Sequence, residues 1–441
     1  MKTDLSRRGF LRTTTAVGAA AGLGALAPSA LGGLAEAAET GAYTGPLVVV
    51  GANDNPRPGR GIYKLIDSFQ RAHPGVSISY QTFTSDRFVA LFTAKQASGE
   101  QIDVLLPNGQ DVRRYAQSNT LLPLDTLVQR DRFQETALRP YTIKGHLWAV
   151  PSGAIGGFPI FVNKALLDAA KLPLPRTYAD LKRVGAALNK QGIGAFTHQG
   201  RNIYLWPVWF FTTFAQVTRN RSIERTFDIL SRKGKFTDPD VVQALDLIFA
   251  FQRDNLFTKD VLSIDTPGAQ TEFLTGRAAF WMWYDSAAIT PVREQNPPHM
   301  NLQVMLMPQL VSYPVMSQFP GAGGNGAIYA KIAPQRKAIA AQFLQFITSD
   351  ASDAYLVQDG SEALGVNKNV QGSKDPVAVA LKRLIPNLTI YLDWYWPPEV
   401  TRAFQEGIQA GVAGNLTAQA VAKDIQSTFD GLVANGYKFQ Q

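Results

Sequence analysis

Leu47-Val48-Val49-Val50 is an unbroken apolar, β-branched run that ends in polar residues, Gly51-Ala52-Asn53-Asp54-Asn55. Such a run predicts a buried parallel strand with polar groups at its carboxyl end. Ile62, Leu65, Ile66 and Phe69 then repeat at helical spacing, and His73-Pro74-Gly75 stops the helix. Val76 to Phe83 alternates as a strand does, Arg87 to Ala97 reads as a helix, and Ile102 to Leu106 as a third strand. Strand, helix, strand, helix, strand predicts a parallel sheet with right-handed crossovers. The third strand also ends in polar residues, Pro107-Asn108-Gly109-Gln110-Asp111.

Further on, Lys144 to Pro151 reads as a tight turn into a strand, and Phe158 to Val162 as another strand. Thr177 and Asp180 form a capping-box pattern at a helix start. Asp238-Pro239 and Pro334 open two more helices, carrying Val241, Leu245, Ile248 and Phe249 in one and Ile339, Phe343, Phe346 and Ile347 in the other. Val412 to Leu432 reads as a C-terminal helical segment. The pattern concentrates at Thr271 to Ser286: a helix end, a turn at Gly276, an apolar strand from Ala278 to Trp283, then the polar-aromatic patch Trp283-Tyr284-Asp285-Ser286. In open α/β sheets, ligands sit at the carboxyl ends of strands, so this patch is a candidate ligand loop.

The chain has 441 residues, enough for roughly two to three domains. With 45% hydrophobic and 18% charged residues it is globular in composition. It has no cysteine, which excludes disulfides, thiolate metal sites and a cysteine nucleophile. The net charge of +8 comes from scattered residues, which argues against nucleic acid as a partner. Near the start, Arg7-Arg8 precedes an Ala/Gly-rich apolar run from Ala16 to Leu34 and the small-x-small site Ala35-Glu36-Ala37. This frame resembles the twin-arginine export signal. It implies the twin-arginine export machinery as a partner, cleavage near Ala37, and a protein free in the periplasm.

Several short stretches occur in a telling order: Phe69 with His73-Pro74-Gly75, Ala97-Ser98-Gly99 with Asp103-Val104, and Leu121-Leu122-Pro123-Leu124-Asp125. Phe161-Val162-Asn163-Lys164, Pro175 with Thr177-Tyr178 and Leu181, and Phe273 with Gly276-Arg277-Ala278-Ala279 follow. In this order the chain resembles the family 1 extracellular solute-binding proteins, the sugar-type receptors of ABC importers. The resemblance implies an α/β, two-lobed periplasmic-binding-protein fold of type II, each lobe a mostly parallel sheet flanked by helices, with a ligand cleft between them. Its lobes would be 46–155 plus 322–366 and 156–321 plus 367–441. It implies a small-molecule ligand, an inner-membrane ABC permease as partner, a monomer, no cofactor and no catalysis.

Candidate ligand contacts follow from the residue types. A flat indole packs against the C–H face of a sugar while polar groups take the hydroxyls. Trp206, Trp209, Trp281, Trp283, Trp394 and Trp396 are therefore divided between core and ligand. Trp281 is expected in the core. Trp283, with one of Trp394 or Trp396, is expected to stack on ligand, and Trp209 joins the candidates. The polar strand ends would supply hydrogen bonds: the resemblance implies ligand contacts at Asn53 and Asp54, at Asn108, Gln110 and Asp111, and at Arg201, and Tyr284 and Asp285 join them after the 278–283 strand. Gly321-Ala322-Gly323-Gly324-Asn325-Gly326 matches a dinucleotide fingerprint in letters, but no helical pattern follows it. The resemblance instead places the backbone of Gly323 and Gly324 near the ligand.

A sugar or short oligosaccharide is the expected ligand. A uronate or glycerophosphodiester is the alternative, suggested by Arg60, Arg87, Arg113 and Arg201 near strand ends. An exported carbohydrate-active enzyme is the alternative from another class. The four histidines have no metal-ligand spacing, and neither H-E-x-x-H nor G-x-S-x-G is present.

Overall fold

In the computed structural model, the described residues are 43–52, 58–151, 156–283, 285–297, 300–311, 319–322, 326–359, 365–384, 388–389 and 391–439. The expected export segment, Asn53, Asp54, Tyr284, Gly323 and Gly324 lie outside them.

The first sheet is built on β1 (Gly45–Ala52), with β2 (Val76–Phe83) and β3 (Val104–Leu106) on either side. Both pairings are parallel, Gly45 to Ala52 running in register with Val76 to Phe83. Leu47, Val49 and Val50 are fully buried, as a strand covered on both faces by helices requires. The crossover helices are Gly61–Ala72 and Ser85–Ser98. Gly99 ends the second of them at φ +70°, the left-handed cap that glycine adopts without a Cβ penalty.

The second sheet joins β4 (Ile160–Asn163), β5 (Gly194–Thr197), β6 (Ala278–Met282) and β7 (Leu302–Met305) in the order β7-β4-β6-β5. Only β5 and β6 pair in parallel; β4 runs antiparallel to β6 and to β7. This sheet is thus mixed in direction, where the resemblance implied a mostly parallel one. Alternation along the strands separates two apolar layers. Phe161 and Trp281 face one layer with Phe273 and Leu302, while Ile160, Val162, Phe280 and Met282 face the other.

The first sheet is completed by β8 (Ala327–Ile328), antiparallel to β3. The helix that follows it, Pro334–Ile347, is tied back by a buried ion pair. The fully buried Asp103 carboxylate accepts from Arg336 Nε at 2.6 Å, from Val48 N–H at 2.8 Å and from Gln101 Nε2 at 2.6 Å.

Two lobes result, each with its own core. The chain leaves the first core after Val150, enters the second at Phe158, returns by Ala327, and leaves again between Val366 and Val377. The first two passages are bonded to each other: Gly156–Gly157 pairs antiparallel with Gly321 and Ala322. The capping box at Thr177 forms as its pattern predicts, Thr177 Oγ1 accepting Asp180 N–H and Asp180 Oδ2 accepting Thr177 N–H. Two expectations change. The C-terminal segment is two helices, Pro398–Val412 and Ala418–Ala434, because Gly414 turns the chain at φ +80°. The loop expected after β6 is instead the start of a helix, Asp285–Gln295, which carries Pro291 inside it.

Candidate functional site

The carboxyl ends of β3 and β6 mark the candidate site, one in each lobe. After β3, Asn108 is the N-cap of the helix Gly109–Gln117. In its first turn Asp111 is 5% exposed, and Arg114 Nη2 donates to its Oδ1 at 3.1 Å. Burial pushes the Asp111 carboxyl up to about 6, against the pull of Arg114 and of a hydrogen bond from Asn108. Its Oδ2 is buried without a partner among the described residues. Gln110, in the same turn, is exposed.

Segment 391–396 of the second lobe comes up against this helix. Trp394 is half-buried and touches the cores of both lobes. Its ring lies 6.1 Å from that of Tyr141 in the first lobe and 5.1 Å from that of Tyr391 in the second. Arg113 places its guanidinium 4.8 Å from the centre of the Tyr395 ring, a second contact between the lobes. Beside Trp394, Asp393 keeps its Oδ1 buried without a partner among the described residues. Burial pushes that carboxyl up to about 7, while the N–H groups of Asp393 and Trp394 pull it down.

From Trp394 a row of rings runs to the end of β6. Tyr391 lies 6.1 Å from Phe158, Phe158 meets Trp283 edge-to-face at 5.7 Å, and Trp283 stacks on Trp281 at 5.5 Å with 9° between planes. Such pairs contribute about 0.5–1.5 kcal/mol each beyond their buried area. Trp281 is fully buried and Trp283 half-buried, so the core ring supports the outer one. The structure therefore brings Asn108, Asp111, Trp394 and Trp283 to the two ends of one aromatic row.

Other expected contacts lie elsewhere. Trp209 is fully buried among Phe196, Phe251 and Phe257. Trp396 is 6% exposed and stacked on Phe404 at 4.0 Å. Both belong to the core, because rings on all sides leave no face for a ligand. Arg201 is exposed, in the turn that follows β5. Asp285 begins its helix, its side chain outside the described set. Phe158, Tyr391, Asp393 and Gly109 were not among the expected contacts. The aromatic run Tyr391-Leu392-Asp393-Trp394-Tyr395-Trp396 was the available signal for two of them. Among the described residues, no helix is long and apolar enough to cross a membrane, and no cluster of three His, Asp or Glu could hold a metal ion.

The profile of the bacterial extracellular solute-binding proteins matches residues 53–354. The chain belongs to this family. No curated protein sequence matches the chain. Among solved structures, a chitin oligosaccharide binding protein is similar, with a TM-score of 0.76 and 18% identity over 89% of this chain and 99% of that one. A maltose-bound protein from T. maritima has a TM-score of 0.73 and 20% identity over 88% and 99%. A sugar transporter from Bacillus licheniformis in complex with stachyose has a TM-score of 0.71 and 15% identity over 88% and 100%. At these identities the likeness is one of fold, and it accords with the two-lobed solute-binding architecture described above.

Proposed function

We propose that this solute-binding protein is the periplasmic receptor of an ABC importer and takes a neutral sugar or short oligosaccharide between its lobes. The observation that carries the reading is the pair of half-buried indoles, Trp283 and Trp394, at the two ends of the row that joins β6 to β3. The sugar would stack on Trp283, with Trp394, Asn108 and Asp111 supplying contacts from the other end. Asn53, Asp54, Tyr284, Asp285, Arg201, Gly323 and Gly324 complete the proposed set. Ligand contacts made by both lobes favour the closed state, because a ligand shifts an equilibrium only by its differential affinity. An inner-membrane permease would read that state, and the receptor itself, a monomer, would do no chemistry. The twin-arginine frame supports export as a folded protein, with cleavage near Ala37.

The lobe limits proposed are 46–155 plus 322–366 and 156–321 plus 367–441. Core residues on each side support them, although Lys368 N–H donating to Arg132 C=O at 2.8 Å draws the last passage a few residues onward. The acidic-ligand alternative loses ground. Arg60 is engaged by Asp359 and Glu294, and Arg113 by Tyr395, so two of its four arginines are already paired. Asp111 and Asp393 each bury a carboxylate oxygen that accepts nothing among the described residues, which suits a hydroxyl donor better than an anion. A thermal-shift panel of neutral sugars, uronates and glycerophosphates tests this. Stabilisation by a neutral sugar is expected. Stabilisation by none, together with turnover of a glycoside, would overturn the receptor in favour of an enzyme.

A further inference from the structure

Gln199 stands two residues beyond Thr197, and Thr197 is the register partner of Trp281 on the parallel strand β6. It is therefore level with Trp283, two residues beyond Trp281. Its side chain is fully buried, and its Oε1 accepts the indole N–H of Trp281 at 3.0 Å. An indole N–H can only donate, so this bond settles which end of the amide faces Trp281. The amide Nε2 has no partner among the described residues, so the bond to Trp281 is the side-chain hydrogen bond that holds Gln199 there. The main-chain carbonyl of Gln199 acts separately, accepting Asn202 N–H at 2.9 Å and closing the turn that carries Arg201. The Arg201 N–H in turn donates to Ile264 C=O at 3.0 Å.

Trp281 is held between two rings. Phe273 lies 5.7 Å away on one side, and Trp283 is stacked parallel at 5.5 Å. Trp281 is thus one of the rings that orient Trp283, beside Phe158, and its own indole N–H has Gln199 as acceptor. Without that acceptor a buried N–H is left unsatisfied, and the indole can relieve it only by rotating toward another acceptor, which moves the ring stacked on it.

We infer that Gln199 is a positioning residue of the sugar site: its side chain helps set the plane of Trp283 through Trp281. It touches no sugar itself. The inference rests on the proposed contact between Trp283 and ligand.

The test uses the whole protein with Gln199→Met, which keeps the length but removes the acceptor, and Gln199→Glu, which keeps an acceptor oxygen. The first readout needs no ligand. The stacked Trp281–Trp283 pair contributes to the near-ultraviolet circular dichroism, and its share is the difference between the unmodified protein and Trp283→Phe. Gln199→Met should lose most of it and Gln199→Glu should retain it. The second readout is titration with maltose, raffinose and stachyose. Gln199→Met should weaken binding about fivefold, the size of one net hydrogen bond, and Trp281→Phe at least as much, because it also removes the indole stacked on Trp283. Together they should weaken it no more than Trp281→Phe alone, because both remove the same bond. If Gln199→Met fails to fold, Gln199→Leu, which also lacks the acceptor, carries both readouts.

An unchanged pair signal in Gln199→Met, or additive losses, overturns the inference. Full affinity in Trp283→Ala would instead overturn the reading beneath it. Absence of binding by the unmodified protein to all three sugars would likewise count against that reading, while the circular dichroism of the pair still decides whether Gln199 orients it.

Discussion

The Trp394 indole occupies the space where a side chain of residue 109 would begin: a Cβ on Gly109 would lie 2.3 Å from Cζ2 and 2.4 Å from Cη2. Gly109 opens the helix after β3 in the first lobe, and Trp394 is rooted in the second. The lobes can meet at this point only if residue 109 has no side chain. Gly109→Ala should therefore hold them apart. Overpacking of this kind costs about 1–3 kcal/mol, which predicts roughly tenfold weaker sugar binding. Titration, with the radius of gyration from small-angle scattering, checks it: the sugar-bound variant should be more expanded than the sugar-bound unmodified protein.

The tryptophans should separate into two classes. Trp209→Ala and Trp396→Ala remove fully packed core rings and should lower stability by about 3–5 kcal/mol. Trp283→Ala should leave the ligand-free melting temperature nearly unchanged and abolish stabilisation by sugar. Calorimetric melting with and without sugar separates the classes. A large destabilisation of ligand-free Trp283→Ala with affinity retained would assign that ring to the core.

Asp393 should make stability depend on pH. Burial raises its carboxyl to about 7, so the folded chain holds a proton that the unfolded chain has released. Its contribution is most favourable below about pH 4 and declines as pH rises to about 7, the window between its unfolded and folded values. Asp393→Asn keeps the neutral shape. Its melting temperature should exceed that of the unmodified protein by a few degrees at pH 7.5, and the gap should close at pH 4. Comparing the two proteins cancels every other carboxylate in the chain.

Arg60 bridges the lobes at the surface. Its Nη2 donates to Asp359 C=O at 2.7 Å within the first lobe, and its Nη1 reaches Glu294 at 3.2 Å on the helix Asp285–Gln295 of the second. Both side chains of the bridging pair are well exposed, so salt screens it. Glu294→Gln should shift the ligand-free protein slightly toward the open form at low salt, and the difference should vanish in high salt. Small-angle scattering at two ionic strengths reads it.

Much of the fold was legible because burial imposes periodicity. Leu47 to Val50 read as a doubly covered strand, and Thr177 with Asp180 as a cap, since both depend on neighbours in sequence. Strand direction in the second sheet was not legible, because β4 and β7 are set beside β6 by long crossovers. The outer ring of the Trp281–Trp283 pair could be named because two-residue alternation puts both indoles on one side and the strand ends at Met282, just before the second. Trp209 and Trp396 could not be sorted that way. Their burial comes from Phe251, Phe257 and Phe404, residues 8 to 48 positions away that only the tertiary fold brings into contact. Gly109 lay within a stretch already singled out, but its meaning depends on Trp394, which is distant in sequence.

A crystal structure with the sugar that gives the largest thermal shift tests the central claim most directly. The account predicts one ring of that sugar packed on the indole of Trp283, at about van der Waals distance, with further contacts from the Asn108–Asp111 turn of the other lobe. A sugar held by one lobe alone, or bound away from Trp283, would contradict it.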